Sequence, residues 1–349
     1  MASHSGRMGP LGASGNWDDW DPDDAHGGYT GKVGALNGLD PAAETDTPAA
    51  AELSSTARAA LARMQAADYL TATFAPDDPG FVELYDTLIV PQWSRPFGQL
   101  LLSVLLTQPR GNAWQVLDVA CGTGYPTIEL ARYLGQDCDL AGLDTWEAAI
   151  QRARQKASDE WLRNVSFVVA DVCASGLPDG TIDTITCNLG LASFADPRAA
   201  LGAMARLLHP GGSLLLTSPL QSALREFLDI YYLTLRDLKL TDYKHNLARL
   251  IATRPTAAQL RALLESTGFE VERTVNESFT LRFAGPRAFL TSPIIHTSFM
   301  PAWRDVVPDL TVRRLVFNEV ERRLRARAEA NGGALALTVP MVCLLARRL

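Results

Sequence analysis

The sequence predicts an α/β protein built on a doubly wound, mostly parallel sheet. Three observations predict it. Beyond Gly111, short apolar runs alternate with segments of helical period. The first of these runs ends in an acid followed by a glycine-rich turn, and acids also end the next two. Parallel strands reading as continuous apolar runs need helices on both faces.

The elements follow in order. Leu53–Tyr69 is Ala-rich and preceded or opened by Ser54, Ser55 and Thr56 as caps, which predicts a helix. Phe81–Val90 and Phe97–Leu106 predict two more, each bounded by proline. The alternating part predicts strands at Gln115–Val119, Cys138–Leu143, Val165–Ala170, Thr181–Cys187 and Ser213–Thr217. Helices are expected at Thr127–Leu134, Trp146–Ala157 and Pro197–Leu208. Leu224–Leu240 reads as a long amphipathic helix, and Thr256–Thr267 as a helix closed by Gly268. Phe269–Phe283 and Leu335–Leu345 complete seven strands, the last antiparallel. Between them a helix near Val312–Arg327 carries Arg313, Arg314, Arg322, Arg323, Arg325 and Arg327. A solvated face is the default for such a run, an anion- or membrane-touching face the alternative.

Composition narrows the function. The chain has 349 residues, 47% hydrophobic and 20% charged, which excludes fibrous and wholly disordered classes. Nine acids against Arg7 and Lys32 in residues 1–52 account for the whole net charge of −7. The body is balanced, so nothing steers it to nucleic acid. The acidic, Gly/Pro-rich residues 1–52 predict a disordered tail, with Trp17, Trp20 and Tyr29 docking over the site on substrate binding as the sharper reading. A helical cap over 53–110 and a main domain over 111–349, with insertions at about 218–253 and 284–333, complete the expected organisation. Five cysteines without a CxxC pair predict reduced thiols and no metal cluster. No apolar run reaches membrane-spanning length and no signal-peptide pattern opens the chain, so a cytoplasmic protein is expected. The oligomeric state stays open, a homodimer included.

The chemistry concentrates in Val116-Leu-Asp-Val-Ala-Cys-Gly-Thr-Gly124, an apolar strand that turns through glycines into a helix. Such a turn lets backbone approach a ligand, and the helix N-terminus offers free N–H groups. Asp144 and Asp171 end the second and third strands. At strand ends bordering a binding crevice, Asp144 could accept both ribose hydroxyls and Asp171 an adenine amino group. Each acid alone could equally be a helix cap. A nicotinamide fingerprint is disfavoured, because Thr127 stands where the third small residue belongs.

VLDVACGTG, LAGLDTW, VVADV, ITCNLGLASFADP and LLHPGGSLLLTSP together resemble the successive motifs of class I S-adenosylmethionine-dependent methyltransferases, in the small-molecule branch that includes quinone-ring enzymes. The resemblance is strong over about 114–220, weak over 250–349 and nearly absent before 110. It implies a Rossmann-like fold with helical lid insertions, S-adenosylmethionine as cofactor and S-adenosylhomocysteine as product. It further implies that the backbone around Ala120, Gly122 and Gly124 holds the methionine part, with Asp118 orienting its amino group. Asp144 with Thr145 would take the ribose, Asp171 and Val172 the adenine, and Asn188, Leu189 and Gly190 would line the pocket near the transferring methyl.

Methyl transfer requires alignment and a dry pocket, and a base only where the acceptor is poorly acidic. His296 and His245, in the insertions, are the base candidates, because histidine titrates near neutrality. Tyr85, Trp93, Phe194, Tyr231, Tyr232, Phe299 and Trp303 are expected to line the acceptor pocket. They suggest a bulky, mostly apolar small molecule such as a polyketide, terpenoid, quinone or lipid-like compound, methylated on oxygen or carbon. The alternative is an enzyme of the same fold that binds the cofactor and catalyses a cyclisation or rearrangement.

Overall fold

A computed structural model describes residues 53–109, 114–135 and 138–349. The expectations for residues 1–52, including docking by Trp17, Trp20 and Tyr29, lie outside the described residues. Seven strands form one sheet: β1 (Trp114–Val119), β2 (Cys138–Asp144), β3 (Val165–Val169), β4 (Ile182–Asn188), β5 (Leu208–Pro219), β6 (Phe269–Phe283) and β7 (Leu335–Arg348). Their order is β3-β2-β1-β4-β5-β7-β6. The pairs among β1–β5 are parallel, and β7 runs antiparallel between β5 and β6. The order reverses between β1 and β4. In open α/β sheets the crevice at the carboxyl ends of such strands is where ligands bind.

The register assigns each strand residue to a face. Asp118 lies level with Gly142 of β2 and Thr186 of β4, at the last turn of the sheet before the loops. Leu117, Val119, Ile185, Cys187, Leu214, Leu216 and Val342, Leu344 and Ala346 of β7 pack under the helices Pro197–Leu207 and Ala257–Glu265. The second of these helices opens with a capping box between Thr256 and Gln259. The opposite face carries Val116, Leu140, Leu215 and the odd-numbered residues of β7 from Leu335 to Leu345, covered by Arg95–Leu105, Arg225–Asp237 and Leu310–Ala330. A smaller cluster of Ile128, Ile150, Ala153 and Phe167 closes the β2–β3 edge.

The helical cap differs from the two helices expected between Phe81 and Leu106. Phe81–Leu84, a π-helix over Tyr85–Ser94 and Arg95–Leu105 follow one another without a break. Pro91 sits inside the π segment and Pro96 in the first turn after it. Wider π turns accommodate a residue with no N–H where an α-helix would break. The expected helix Leu224–Leu240 ends at Asp237, because Lys239 adopts a left-handed φ of 59°, and a separate helix spans Thr241–Ala252. In the second insertion Pro286–Leu290, a π turn over Ile295–Phe299 and Met300–Val306 precede the long helix.

Three arginines of that region form a clasp. Arg304 is buried, with Nε donating to the Tyr69 carbonyl at 2.8 Å, Nη2 to the same carbonyl and Nη1 to that of Ala72 at 2.6 Å. Arg313 donates to the carbonyls of Leu70, Val307 and Pro308, and Arg314 pairs with Asp68 at 2.5 Å. Further along, Arg322 and Arg323 share Glu319, and Arg325 reaches Glu321. The connection between the first two described helices is thus held from the far end of the chain. No helix among the described residues is long and apolar enough to cross a membrane.

Candidate active site

The loop after β1 is strained into a cradle. Ala120, Gly122 and Gly124 have φ of 60°, 53° and 92°. The two glycines do different work. A Cβ on Gly124 would meet Ala153 and Ile128 at 3.0 Å, so that glycine is demanded by packing. A Cβ on Gly122 would meet nothing nearer than Tyr85 Cε1 at 3.9 Å, so its backbone borders open space.

Asp118 is 1% exposed, with Oδ2 accepting the Thr127 hydroxyl at 2.5 Å and Oδ1 the Thr186 hydroxyl at 2.7 Å. Burial pushes its pKa up to about 6 against the pull of those two hydrogen bonds. Asp144 shapes the cradle itself. Its Oδ2 accepts the Gly122 N–H at 2.8 Å and its Oδ1 that of Trp146 at 2.9 Å. Each carboxylate oxygen retains further acceptor capacity, and the exposed Thr145 lies beside it. Asp171 is exposed, accepts the Cys173 N–H at 2.8 Å and caps the 3-10 turn that starts at Val172, which is buried.

The cap closes on this cradle. Asp86 accepts the Thr123 hydroxyl at 2.7 Å and pairs with Arg152 at 2.9 Å and Lys156 at 2.6 Å. It therefore joins the π segment to the glycine loop and to the helix Glu147–Asp159. Sequence reasoning missed Asp86, because its partners lie 37 to 70 residues away and no local pattern marks it. Tyr85 stands edge-on to Trp146 at 5.2 Å, on the side of these helices that faces the glycine loop. Asn188, at the end of β4, donates to the Ser94 carbonyl at 3.2 Å and accepts the Thr217 hydroxyl at 2.7 Å. Thr217 in turn accepts the N–H of Leu189, whose φ is 66°. Gly190 packs against Ala120 so closely that a Cβ would lie 2.6 Å from that of Ala120.

The expected acceptor residues divide. Trp93 meets Phe299 edge-on at 5.2 Å, and Phe299 stacks on Trp303 at 5.6 Å. Tyr231 is buried and its hydroxyl binds the Trp303 carbonyl, which makes it a strut. Tyr232 is half-buried with Lys244 over its ring. Phe194 lies apart from these rings. It packs with the cluster on the other face of the sheet, because it follows the turn that buries Leu191 there. His245 lies exposed on the helix Thr241–Ala252, away from the buried aromatic group. His296 is buried edge-on to Phe74 at 5.0 Å, with neither ring nitrogen hydrogen-bonded. Burial, then the Arg304 charge, pulls its pKa down to about 4, so it is neutral at pH 7 and a weak proton acceptor.

Residues 111–268 match the family model described as a methyltransferase domain. The chain is 34% identical over 172 residues to the ubiquinone/menaquinone biosynthesis C-methyltransferase UbiE of Teredinibacter turnerae, covering 46% of this chain and 69% of that protein. It is 33% identical over 175 residues to the UbiE protein of a Marinomonas species, covering 47% and 69%. Looser likenesses among solved structures include the YcgJ protein of Bacillus subtilis, with TM-score 0.45, 15% identity and coverage of 72% and 98%. The cyclase SpnF, also at TM-score 0.45, shares 17% identity over 72% of this chain and 80% of its own. The chain belongs to the class I S-adenosylmethionine-dependent methyltransferases and is an enzyme that uses that cofactor.

Proposed function

We propose that the protein methylates a carbon of a quinone-type small molecule. The reading is supported by the relatives, whose names describe C-methyltransferases of ubiquinone and menaquinone biosynthesis and whose length the chain spans by 69%. The observation that carries it is the aromatic chain Trp93–Phe299–Trp303, which continues through Ser94 to Asn188 beside the glycine loop. Flat rings at that position suit a flat, mostly apolar acceptor.

The cradle fits the cofactor, because Gly122 presents backbone to open space while its N–H is fixed by Asp144. In this reading Ala120, Gly122 and Gly124 hold the methionine part, Asp144 and Thr145 the ribose, Asp171 and Val172 the adenine, and Asn188 and Leu189 the side facing the acceptor. Asp118 acts by holding the loop through Thr127 and Thr186. When bound, the cofactor supplies an electrophilic methyl group on a sulfonium. The chain's residues supply alignment and exclude water. The helices over 53–110 serve as a cap and those of the two insertions as a lid. His296 serves as a neutral hydrogen-bonding partner for the acceptor.

The test is calorimetry with S-adenosylmethionine and S-adenosylhomocysteine, followed by turnover with a reduced naphthoquinone. A product heavier by one methylene, formed in step with S-adenosylhomocysteine, is expected. A rearranged product of unchanged mass with no S-adenosylhomocysteine would establish the cyclisation alternative.

A further inference from the structure

We propose that Arg254 recognises an ionised oxygen of the acceptor, so that the lid selects anionic over neutral quinone-type molecules. The inference rests on the quinone-type reading above.

Arg254 follows the helix Thr241–Ala252 and precedes Pro255, whose carbonyl accepts the Gln221 N–H at 3.0 Å just beyond the end of β5. That places it at the carboxyl end of the sheet, next to the strand that ends in Asn188. Its Nη1 donates to the Ala223 carbonyl at 2.7 Å, and its guanidinium lies 5.8 Å from the centre of the Phe299 ring. No described carboxylate pairs with it. The contrast is with Arg304, whose guanidinium is taken up by the carbonyls of Tyr69 and Ala72. A guanidinium carries five donors in a planar fork suited to an oxyanion. Burial pulls the Arg254 pKa down to about 10, with no charged neighbour contributing, and it remains a cation at neutral pH. The guanidinium is half-buried, and an anion brought against it would be held by a charge that no described carboxylate yet answers.

A second, independent observation lies on the helical segment that carries Phe299. Phe299, the ring under Arg254, also stacks on Trp303 and touches Trp93. Trp303 Nε1 and both nitrogens of His296 are buried without a hydrogen-bond partner. Buried polar atoms in folded proteins nearly always have partners. Here three lack one on a single helical segment, Ile295–Val306, whose Phe299 bears the unpaired cation. An oxygen-bearing acceptor with one oxygen ionised answers both deficits.

The test uses 2-hydroxy-1,4-naphthoquinone, a vinylogous acid that is an anion at pH 7.5, and its neutral 2-methoxy analogue. Binding is measured to the full chain saturated with S-adenosylhomocysteine. The wild type is expected to hold the anion at least about tenfold more tightly, the size of a net hydrogen bond to a charged group. Arg254→Gln should lose that preference while its affinity for the methoxy compound and for S-adenosylhomocysteine stays unchanged. Arg254→Lys should recover part of it. Equal affinity of the wild type for the two quinones, or binding of neither, overturns the proposal. So does an Arg254→Gln variant that loses both equally. Failure of the wild type to bind S-adenosylhomocysteine, or to methylate a reduced naphthoquinone, would instead count against the underlying reading.

Discussion

The two faces of the sheet are built from the same strands yet do different things. One face is apolar under its two helices, with Leu117, Val119, Ile185, Leu214 and Leu216 at its centre. The other interrupts its apolar residues with a row of buried polar ones, Asp118, Thr186, Asn188 and Thr217, level with the strand ends. Register makes the division, since alternate residues of one strand point to opposite faces. A hydrophobic face needs only volume, so it specifies stability. A polar row has to be satisfied bond by bond, and doing so holds the glycine loop, the end of β4 and the cap in one arrangement.

Four changes would break or sharpen that comparison. The largest effect is expected on the aliphatic face. Leu216→Ala should lower unfolding free energy by about 2–5 kcal/mol in urea titrations while the folded fraction binds S-adenosylhomocysteine normally. A variant that lost ligand affinity instead would show that the faces are not separable.

On the polar face, the Asp118 carboxyl has its pKa raised by burial to about 6, whereas the unfolded value is near 3.9. The native state therefore holds the proton more tightly. This contribution to stability is full below pH ~4 and is lost as pH rises through ~6, by about 2–3 kcal/mol. Urea unfolding from pH 4 to 7 should show a fall in the wild type that Asp118→Asn lacks. Identical profiles would remove Asp118 as the cause.

A smaller effect is expected at the rim of the cradle. Asp144→Ala frees the Gly122 N–H and should weaken cofactor binding by about 1–3 kcal/mol in calorimetry. An unchanged affinity would take Asp144 out of the site. The smallest belongs to the exposed helix surface. Arg325→Ala removes an i,i+4 pair with Glu321 and should cost no more than about 0.5 kcal/mol. A larger loss of thermal stability would mean that the arginine-rich helix depends on its outer face.

The sheet was legible in the sequence because its signals are local. The parallel strands centre on short apolar runs, and the glycine turn and the acids at 118, 144 and 171 stand at the ends of three of them. The helices over 53–110 and in the two insertions were not, for three physical reasons. Proline marks a helix end in an α-helical pattern, but Pro91 lies within a π-helix. The break at Lys239 is a left-handed residue with no glycine to announce it. The contacts that complete the site, Asp86 with Lys156 and Asn188 with Ser94, join residues 70 and 94 positions apart. Aromatic character does not tell which face a turn will choose, and Phe194 packs on the face away from the other rings. His296 was named on its capacity to titrate near neutrality, a capacity that burial removes.

The arginine clasp has an evolutionary consequence. Arg304 and Arg313 grip the connection at Tyr69, Leu70 and Ala72 through main-chain carbonyls, so the grip is indifferent to which side chains those residues carry. The two partners are then free to drift at unequal rates. The gripped positions can exchange residues as packing allows, while an arginine replaced by lysine would forfeit the fork that spans two carbonyls. Among homologues sharing these helices, variation should gather in the connection and be scarce in the two arginines that hold it.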